Sequence, residues 1–219
     1  MILITTKRGK SGEPALSVNI NFGISKILRY YDLLNTQQYV EMRREALKND
    51  GLIPSAVNAP DLVLWDTTRY TDWQRQLWGK AGVTMDASIG YSGGTPLLKY
   101  RISANYSRPG KITAVTGKDQ TMGVNLALDR QSENRKFNSS LTVSYMATSL
   151  NMVTAPNTMN LPPNAPPIFD SMGELNYKDW LGSGFENNLD AFGVLLKPVE
   201  SRSSALSTSL KFNYQLARG

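Results

Sequence analysis

Few residues in this chain have the type and spacing to do chemistry, and most fail on their surroundings. Gly9-Lys10-Ser11 follows the apolar run Ile2-Leu3-Ile4 and looks like the tail of a phosphate-binding loop. That loop needs an earlier glycine where this chain has Ile4, and the segment beyond Pro14 alternates like a strand. A phosphate cradle needs a helix N-terminus there, so a nucleotide site is excluded. The chain has no His and no Cys. This removes a Ser–His nucleophile, thiolate metal sites and disulfides. The carboxylates show no pairing at catalytic spacing. No catalytic residue, metal site or cofactor is expected, and the chain reads as a non-enzyme.

What remains is the chemistry of flat rings. Trp65, Tyr70, Trp73 and Trp78 cluster within 52–82. Tyr177, Trp180 and Phe185 stand among Gly182, Gly184, Asn187 and Asn188. Rings beside hydrogen-bonding side chains suit the capture of sugar or peptide. The same rings could pack a large loop or form an interfacial girdle. The residues alone leave all three readings open, with Trp65, Trp73, Tyr177, Trp180 and Phe185 as candidate contact residues.

The elements that must position these rings are long strands. In 84–93, Met85, Ala87, Ile89 and Tyr91 alternate with Asp86, Ser88, Gly90 and Ser92. A Gly93-Gly94-Thr95-Pro96 turn leads into 97–107, where Leu98, Tyr100, Ile102, Ala104 and Tyr106 alternate with Lys99, Arg101, Ser103, Asn105 and Ser107. Period-2 alternation gives each strand an apolar and a polar face. The segments 15–25, 120–130, 136–148 and 204–216 repeat the pattern. About nine to eleven tilted residues cross a bilayer as a barrel strand, and these segments reach that length. Ile20, Ile89, Ile102, Leu126, Val143 and Leu210 are expected on the lipid side. Asn19, Arg101, Asn125, Thr142 and Lys211 are expected opposite them, with Lys99, Arg101, Asp129 and Lys211 as candidate lumen-facing charges. No apolar run is long enough for a transmembrane helix.

Residues 35–49 change period. Asn35 and Gln38 form a variant capping box, and Gly51 is placed to end the helix. Tyr39, Met42, Ala46 and Leu47 are expected on its packed face. The formal charge of +6 comes from scattered Lys and Arg. There is no basic stripe interleaved with aromatics, so the charge reads as a solvated surface and no nucleic-acid partner is expected.

The connections decide the architecture. Long or medium segments (26–82, 108–119, 149–203) alternate with tight turns (93–96, 130–135). Outer-membrane barrels keep this parity, with short turns on one side and long loops on the other. The expected fold is all-β: part of an antiparallel transmembrane β-barrel, about six strands, with long extracellular loops that contain short helices. Among the loop residues, 153–167 is rich in Pro but punctuated by apolar side chains, which favours an ordered loop. The alternative is a soluble β-sandwich that binds glycans through Trp65, Trp73 and Trp180.

Several stretches carry a family resemblance. ILITTKRGKSG at 2–12 resembles the junction of plug and barrel in SusC/RagA-type TonB-linked outer-membrane transporters. LLNTQQYVEMRREALKNDG at 33–51, DTTRYTDW at 66–73 and YSGG at 91–94 are similar to that family's early barrel region. LPPNAPPIFDSMGELNY at 161–177 resembles a segment of its long third loop. In the family a Val commonly precedes the ILITT run, where this chain has Met1, which fits an internal start or a truncated reading frame.

The resemblance implies that 1–12 is the C-terminal end of a plug domain. It implies that 13–219 is the N-terminal part of a receptor barrel, which in full has about 22 strands around its plug. It implies TonB-dependent import of an oligosaccharide or peptide across the cell outer membrane. Its partners would be outer-membrane lipid, a SusD-like surface lipoprotein acting as a lid, and the TonB complex, engaged through a region this chain lacks. The five candidate rings would then contact substrate or lid. Six strands cannot enclose such a lumen, so the chain alone is expected to be inactive in transport.

Overall fold

The computed structural model describes residues 7–113, 119–153, 156 and 161–216. The apolar run at 1–4 lies outside the described residues, as does half of the expected plug end at 1–12. Six strands form one antiparallel sheet in chain order: β1 Gly12–Ser25, β2 Gly82–Gly94, β3 Leu98–Arg108, β4 Gln120–Gln131, β5 Phe137–Met152 and β6 Val199–Tyr214. Strand lengths of 11 to 16 residues match or exceed what a bilayer crossing needs. Among the described residues the sheet is open, with the outer edges of β1 and β6 unpaired, as in part of a barrel wall.

The register keeps the two faces separate across all six strands. Val18, Ile89, Ala104, Val124, Tyr145 and Leu206 form one continuous apolar row. Ser17, Gly90, Ser103, Asn125, Ser144 and Ser207 form the adjacent polar row. A slip of one residue in any strand would interleave the rows, and the one irregularity lies between Gly12 and Ala15 at the start of β1. β1 begins early, at Gly12, and β5 and β6 extend furthest beyond their expected bounds. β5 runs on to Met152 and β6 begins at Val199, because Asn151 pairs with Glu200 and Ser149 with Arg202. Polar side chains on both faces hide the alternation there, although the backbone ladder continues.

Tyr91, Tyr100, Phe137, Phe212 and Tyr214 stand at one end of the apolar face, and Phe22 and Tyr106 toward the other. Tyr91 and Tyr100 lie with ring centroids 5.8 Å apart, and Phe137 and Phe212 stack at 5.9 Å. Tyr214 stands opposite Phe137. This is the end that carries the tight turns, and rings there form the belt expected at a membrane–water boundary.

The sheet has almost no buried core of its own. Among the described residues, Ala127 is the one buried apolar side chain that lies on a strand. Phe22 is 70% exposed and Leu206 69%. Among the described residues no second sheet packs on the first, which overturns the β-sandwich alternative. In water such a sheet would leave an apolar area far above what soluble monomers show; lipid is the medium that fits it.

The packed core lies instead in the long connections at the other end. The first holds α1 Thr36–Asn49, α2 Pro60–Val63 and α3 Trp73–Trp78. The second holds α4 Tyr177–Trp180, α5 Glu186–Asp190 and a 3-10 helix, Ala191–Leu196. The capping box of α1 is present, with both Asn35 and Gln38 bonded to each other's backbone N–H. At its C-terminus Leu52 N–H donates to the Leu47 carbonyl at 2.8 Å and Gly51 N–H to Lys48 at 3.1 Å. This double closure needs a left-handed residue, and Gly51 supplies it at φ 67°. The packed face of α1 differs from the expected one. Thr36, Val40 and Leu47 are buried, whereas Met42 and Ala46 are exposed. Thr36, Val40, Arg43 and Leu47 share one helical stripe, and within it Arg43 bonds the buried Asp61, so Met42 falls outside the packed face.

Candidate functional site

The two long connections fold onto each other as one assembly. Its core joins Trp65, Trp73 and Leu77 of the first connection to Leu161, Ala165, Ile168, Trp180, Leu189 and Phe192 of the second. The Pro-rich stretch 161–166 is buried throughout and supplies acceptors rather than slack. Trp73 Nε1 donates to the Pro162 carbonyl at 2.9 Å, and Thr71 N–H to Pro163 at 2.8 Å. Proline has no N–H to leave unpaired and its carbonyl stays free to accept. Trp65 Nε1 closes the opposite side on the Asp179 carbonyl at 3.1 Å. The loop over 153–167 is therefore ordered where it is described, and it packs on its neighbour.

A buried charge centre ties α1 to both connections. Asp61 is 1% exposed and accepts from Arg43 Nε and Nη2 at 2.8 and 2.9 Å and from the Tyr39 hydroxyl at 2.9 Å. Burial alone would raise the Asp61 carboxyl. The Arg43 and Tyr39 hydrogen bonds and the Arg43 charge outweigh it and hold the carboxyl below its ordinary range. Asn164 Nδ2 donates to the Asp61 carbonyl at 2.7 Å and links the second connection to this centre.

This packing sorts the five candidate rings. Trp65, Trp73 and Trp180 are buried, with Trp180 at 0% exposure. Trp180 meets the Trp65 ring edge-on at 5.3 Å, and Phe185 covers Trp65 at 5.2 Å. These three tryptophans hold the assembly together, and burial leaves little of their rings exposed. The physical reason is contact between segments roughly a hundred residues apart, as in the Trp65–Asp179 bond. Phe185 is partly buried. Tyr177 is 50% exposed, and its hydroxyl donates to Asp190 at 2.7 Å. That bond raises the Tyr177 phenol above its ordinary value.

Beside this core opens a cavity of about 440 Å³. Tyr30, Tyr31, Tyr70, Asp72 and Arg75 stand at its lining, and Trp73 and Phe185 reach it from the core. The Arg75 guanidinium lies 5.1 Å above the Tyr30 ring. Gln74 grips the Tyr31 backbone in both directions, donating to its carbonyl and accepting from its N–H at 2.9 Å. That grip fixes the segment and leaves the Tyr31 ring 73% exposed. Tyr30, Tyr31 and Gln74 were not among the sequence candidates; local spacing does not reveal a side chain that pairs with a backbone 43 residues away.

The polar face of the sheet gathers the candidate lumen charges. Lys99, Asp129, Ser140 and Lys211 stand in one row across β3, β4, β5 and β6, with Arg101 in the next row of β3. Ser140 Oγ donates to Asp129 at 2.6 Å. Arg8 reaches the same carboxylate at 3.3 Å, so the segment before β1 lies on the polar face. Gly9 lies against the Tyr100 backbone so closely that a Cβ there would overlap it. Arg8 and Ser140 were absent from the sequence candidates because only the register brings them to Asp129.

No family model matches the chain. It is 32% identical over 140 residues to the TonB-dependent receptor SusC of Bacteroides thetaiotaomicron, covering 63% of this chain and 13% of that receptor. It is 26% identical over 106 residues to the TonB-dependent receptor P3 of Formosa agariphila, covering 48% of this chain and 9% of the relative. In fold it is similar to the RagAB peptide importer in the closed-closed state, with a TM-score of 0.59 at 18% identity. That likeness covers 78% of this chain and 22% of the importer chain. The open-open state of the same importer gives 0.59 at 17% identity. The chain thus spans a small share of each protein it resembles. Similar in sequence to the receptor SusC and in fold to the RagAB importer, the chain is an open antiparallel sheet of the kind that forms part of such a barrel wall, and that likeness places it in the outer membrane.

Proposed function

We propose that the chain contributes barrel wall and outer loops to TonB-dependent import of an oligosaccharide or peptide. The observation that carries this reading is the division of the molecule. Strands of bilayer length bear an uncovered apolar face, and an ordered loop assembly stands at the end opposite the tight turns. The likeness to receptors and importers supports the same reading. Residues 1–12 then close a plug domain and 13–219 open the barrel, and Arg8 on the polar face is consistent with a plug-side link entering the lumen. Lys99, Arg101, Asp129 and Lys211 line that lumen. A SusD-like surface lipoprotein would sit over the loop assembly, where Tyr177 and Phe185 are the contacts left by the burial of the three tryptophans. A TonB complex would supply the energy.

The test uses cells in which this chain forms part of a complete receptor barrel beside its surface lipoprotein. Tyr177→Ala and Tyr31→Ala are expected to lower uptake or recovery of the surface lipoprotein several-fold at an unchanged level of outer-membrane protein. If neither variant changes either readout, the loop surface has no part in import. Uptake that persists after collapse of the proton gradient would remove the energised-import reading itself.

A further inference from the structure

The polar face carries a second feature that the row around Asp129 does not use. A cavity of about 230 Å³ is lined by Lys7, Arg101, Ser103, Asn125, Thr142 and Ser144. The register explains the convergence. Arg101, Ala127 and Thr142 form one row across β3, β4 and β5, and Ser103, Asn125 and Ser144 form the next. Ala127 is buried and makes a low floor between taller neighbours. The lining thus brings together two cations, three hydroxyls and one amide, and it contains no carboxylate.

The two cations are also uncommitted. Asp129, the nearest acidic residue in the neighbouring row, is already bonded to Arg8 and Ser140. Among the described residues neither the Lys7 nor the Arg101 side chain has an ion pair or hydrogen bond. The Arg101 guanidinium rests over Gly90, its Nη2 3.4 Å from where a Cβ would stand. With nothing bonding it there, it is free to turn over the cavity. A guanidinium and an ammonium without counter-charge, set among hydroxyl and amide donors, form a receptor for an oxyanion.

We propose that this cavity is a binding site for the carboxylate, sulfate or phosphate group of a small solute on the polar face. Arg101 and Lys7 supply the charge, and Ser103, Asn125, Thr142 and Ser144 supply neutral hydrogen bonds. The proposal rests on the polar face being the wet side of a barrel wall.

The test is a side-chain and backbone NMR titration of the 219-residue chain folded in detergent micelles. Succinate, inorganic sulfate and inorganic phosphate are added in separate arms at constant ionic strength, with chloride as reference. Saturable shifts are expected at the Arg101 Nε–H and the Asn125 amide in at least one arm, and the responding arm names the oxyanion. Arg101→Gln is expected to weaken binding at least about tenfold, and Lys7→Gln to weaken it less. Because neither side chain holds another group, both variants should keep the spectrum of the remaining sheet. Linear shifts equal to those with chloride, or binding that survives Arg101→Gln, would overturn the site. Cross-strand contacts between Ser103, Asn125 and Ser144 in the same sample report the wall. If the wall is present without saturable binding, the site alone fails; if the wall is absent, site and barrel reading fail together.

Discussion

Replacing Trp180 with alanine is expected to unfold the loop assembly while the six-stranded sheet stays paired. Trp180 has 0% exposure and is the largest fully buried side chain. Its ring packs against Trp65 at 5.3 Å, and its Nε1 donates to the Pro167 carbonyl at 3.2 Å. The substitution removes that hydrogen bond and leaves a cavity between two connections that are otherwise held by a few cross-bonds. Truncating a buried tryptophan costs about 3–5 kcal/mol, a large share of what a small packed unit has in reserve. Limited proteolysis reads the result directly: segments 26–81 and 153–198 should become cleavable under conditions where the strands remain protected. Wild-type resistance in Trp180→Ala would mean that the loops are held by something other than this core.

The second large effect belongs to Asp61. Asp61→Asn leaves the Arg43 guanidinium, with 29% side-chain exposure, facing a neutral partner. Removing one member of a buried ion pair costs about 3 kcal/mol. The pH dependence follows from the direction of the carboxyl shift. The folded carboxyl titrates below its ordinary value of 3.8, which stands for the unfolded chain. The unfolded state therefore binds the proton first as pH falls. The stability from this centre is fully present above 3.8 and is lost as pH drops through the folded value. Acid titration of loop-assembly stability should show this decline in the wild type, and Asp61→Asn should flatten that limb while lowering the plateau at neutral pH. An unchanged plateau would show that the Arg43–Asp61 pair contributes nothing net.

The two halves of the molecule were unequally legible in the sequence. Strands are local: Ile89 and Ile102 declare their faces through their own neighbours, and the tight turn after Gly94, closed by Thr95 N–H on the Leu98 carbonyl, sets the pairing of β2 and β3. The capping box at Asn35 and Gln38 is equally local. Strand ends were less clear because Ser201, Arg202 and Ser203 are polar on both faces while the ladder continues. The loop assembly was not legible. The side of Trp65 that is covered depends on Trp180 and Phe185, far along the chain. Exposed tryptophans on a binding loop and buried tryptophans in a loop core have the same local sequence. Tyr31 became a candidate only once Gln74 was seen to hold its backbone. The lumen charges stand between these cases. Lys99, Asp129 and Lys211 could be assigned to a face from sequence, but their shared row with Ser140 required the register.

In a membrane wall the apolar face of this sheet contacts lipid and the polar face contacts water. The chain has no cysteine, so single cysteines report without background. Spin labels at Ile89, Ile102, Val124 and Tyr145 and at Ser88, Ser103, Asn125 and Ser144 sample the two faces of β2 to β5 in lipid bilayers. Collision with oxygen, which concentrates in lipid, should dominate at the first four sites. Collision with a water-soluble nickel chelate should dominate at the second four, alternating residue by residue along each strand. Equal accessibility at Ile102 and Ser103, or an apolar row that prefers the nickel chelate, would contradict the membrane-wall account.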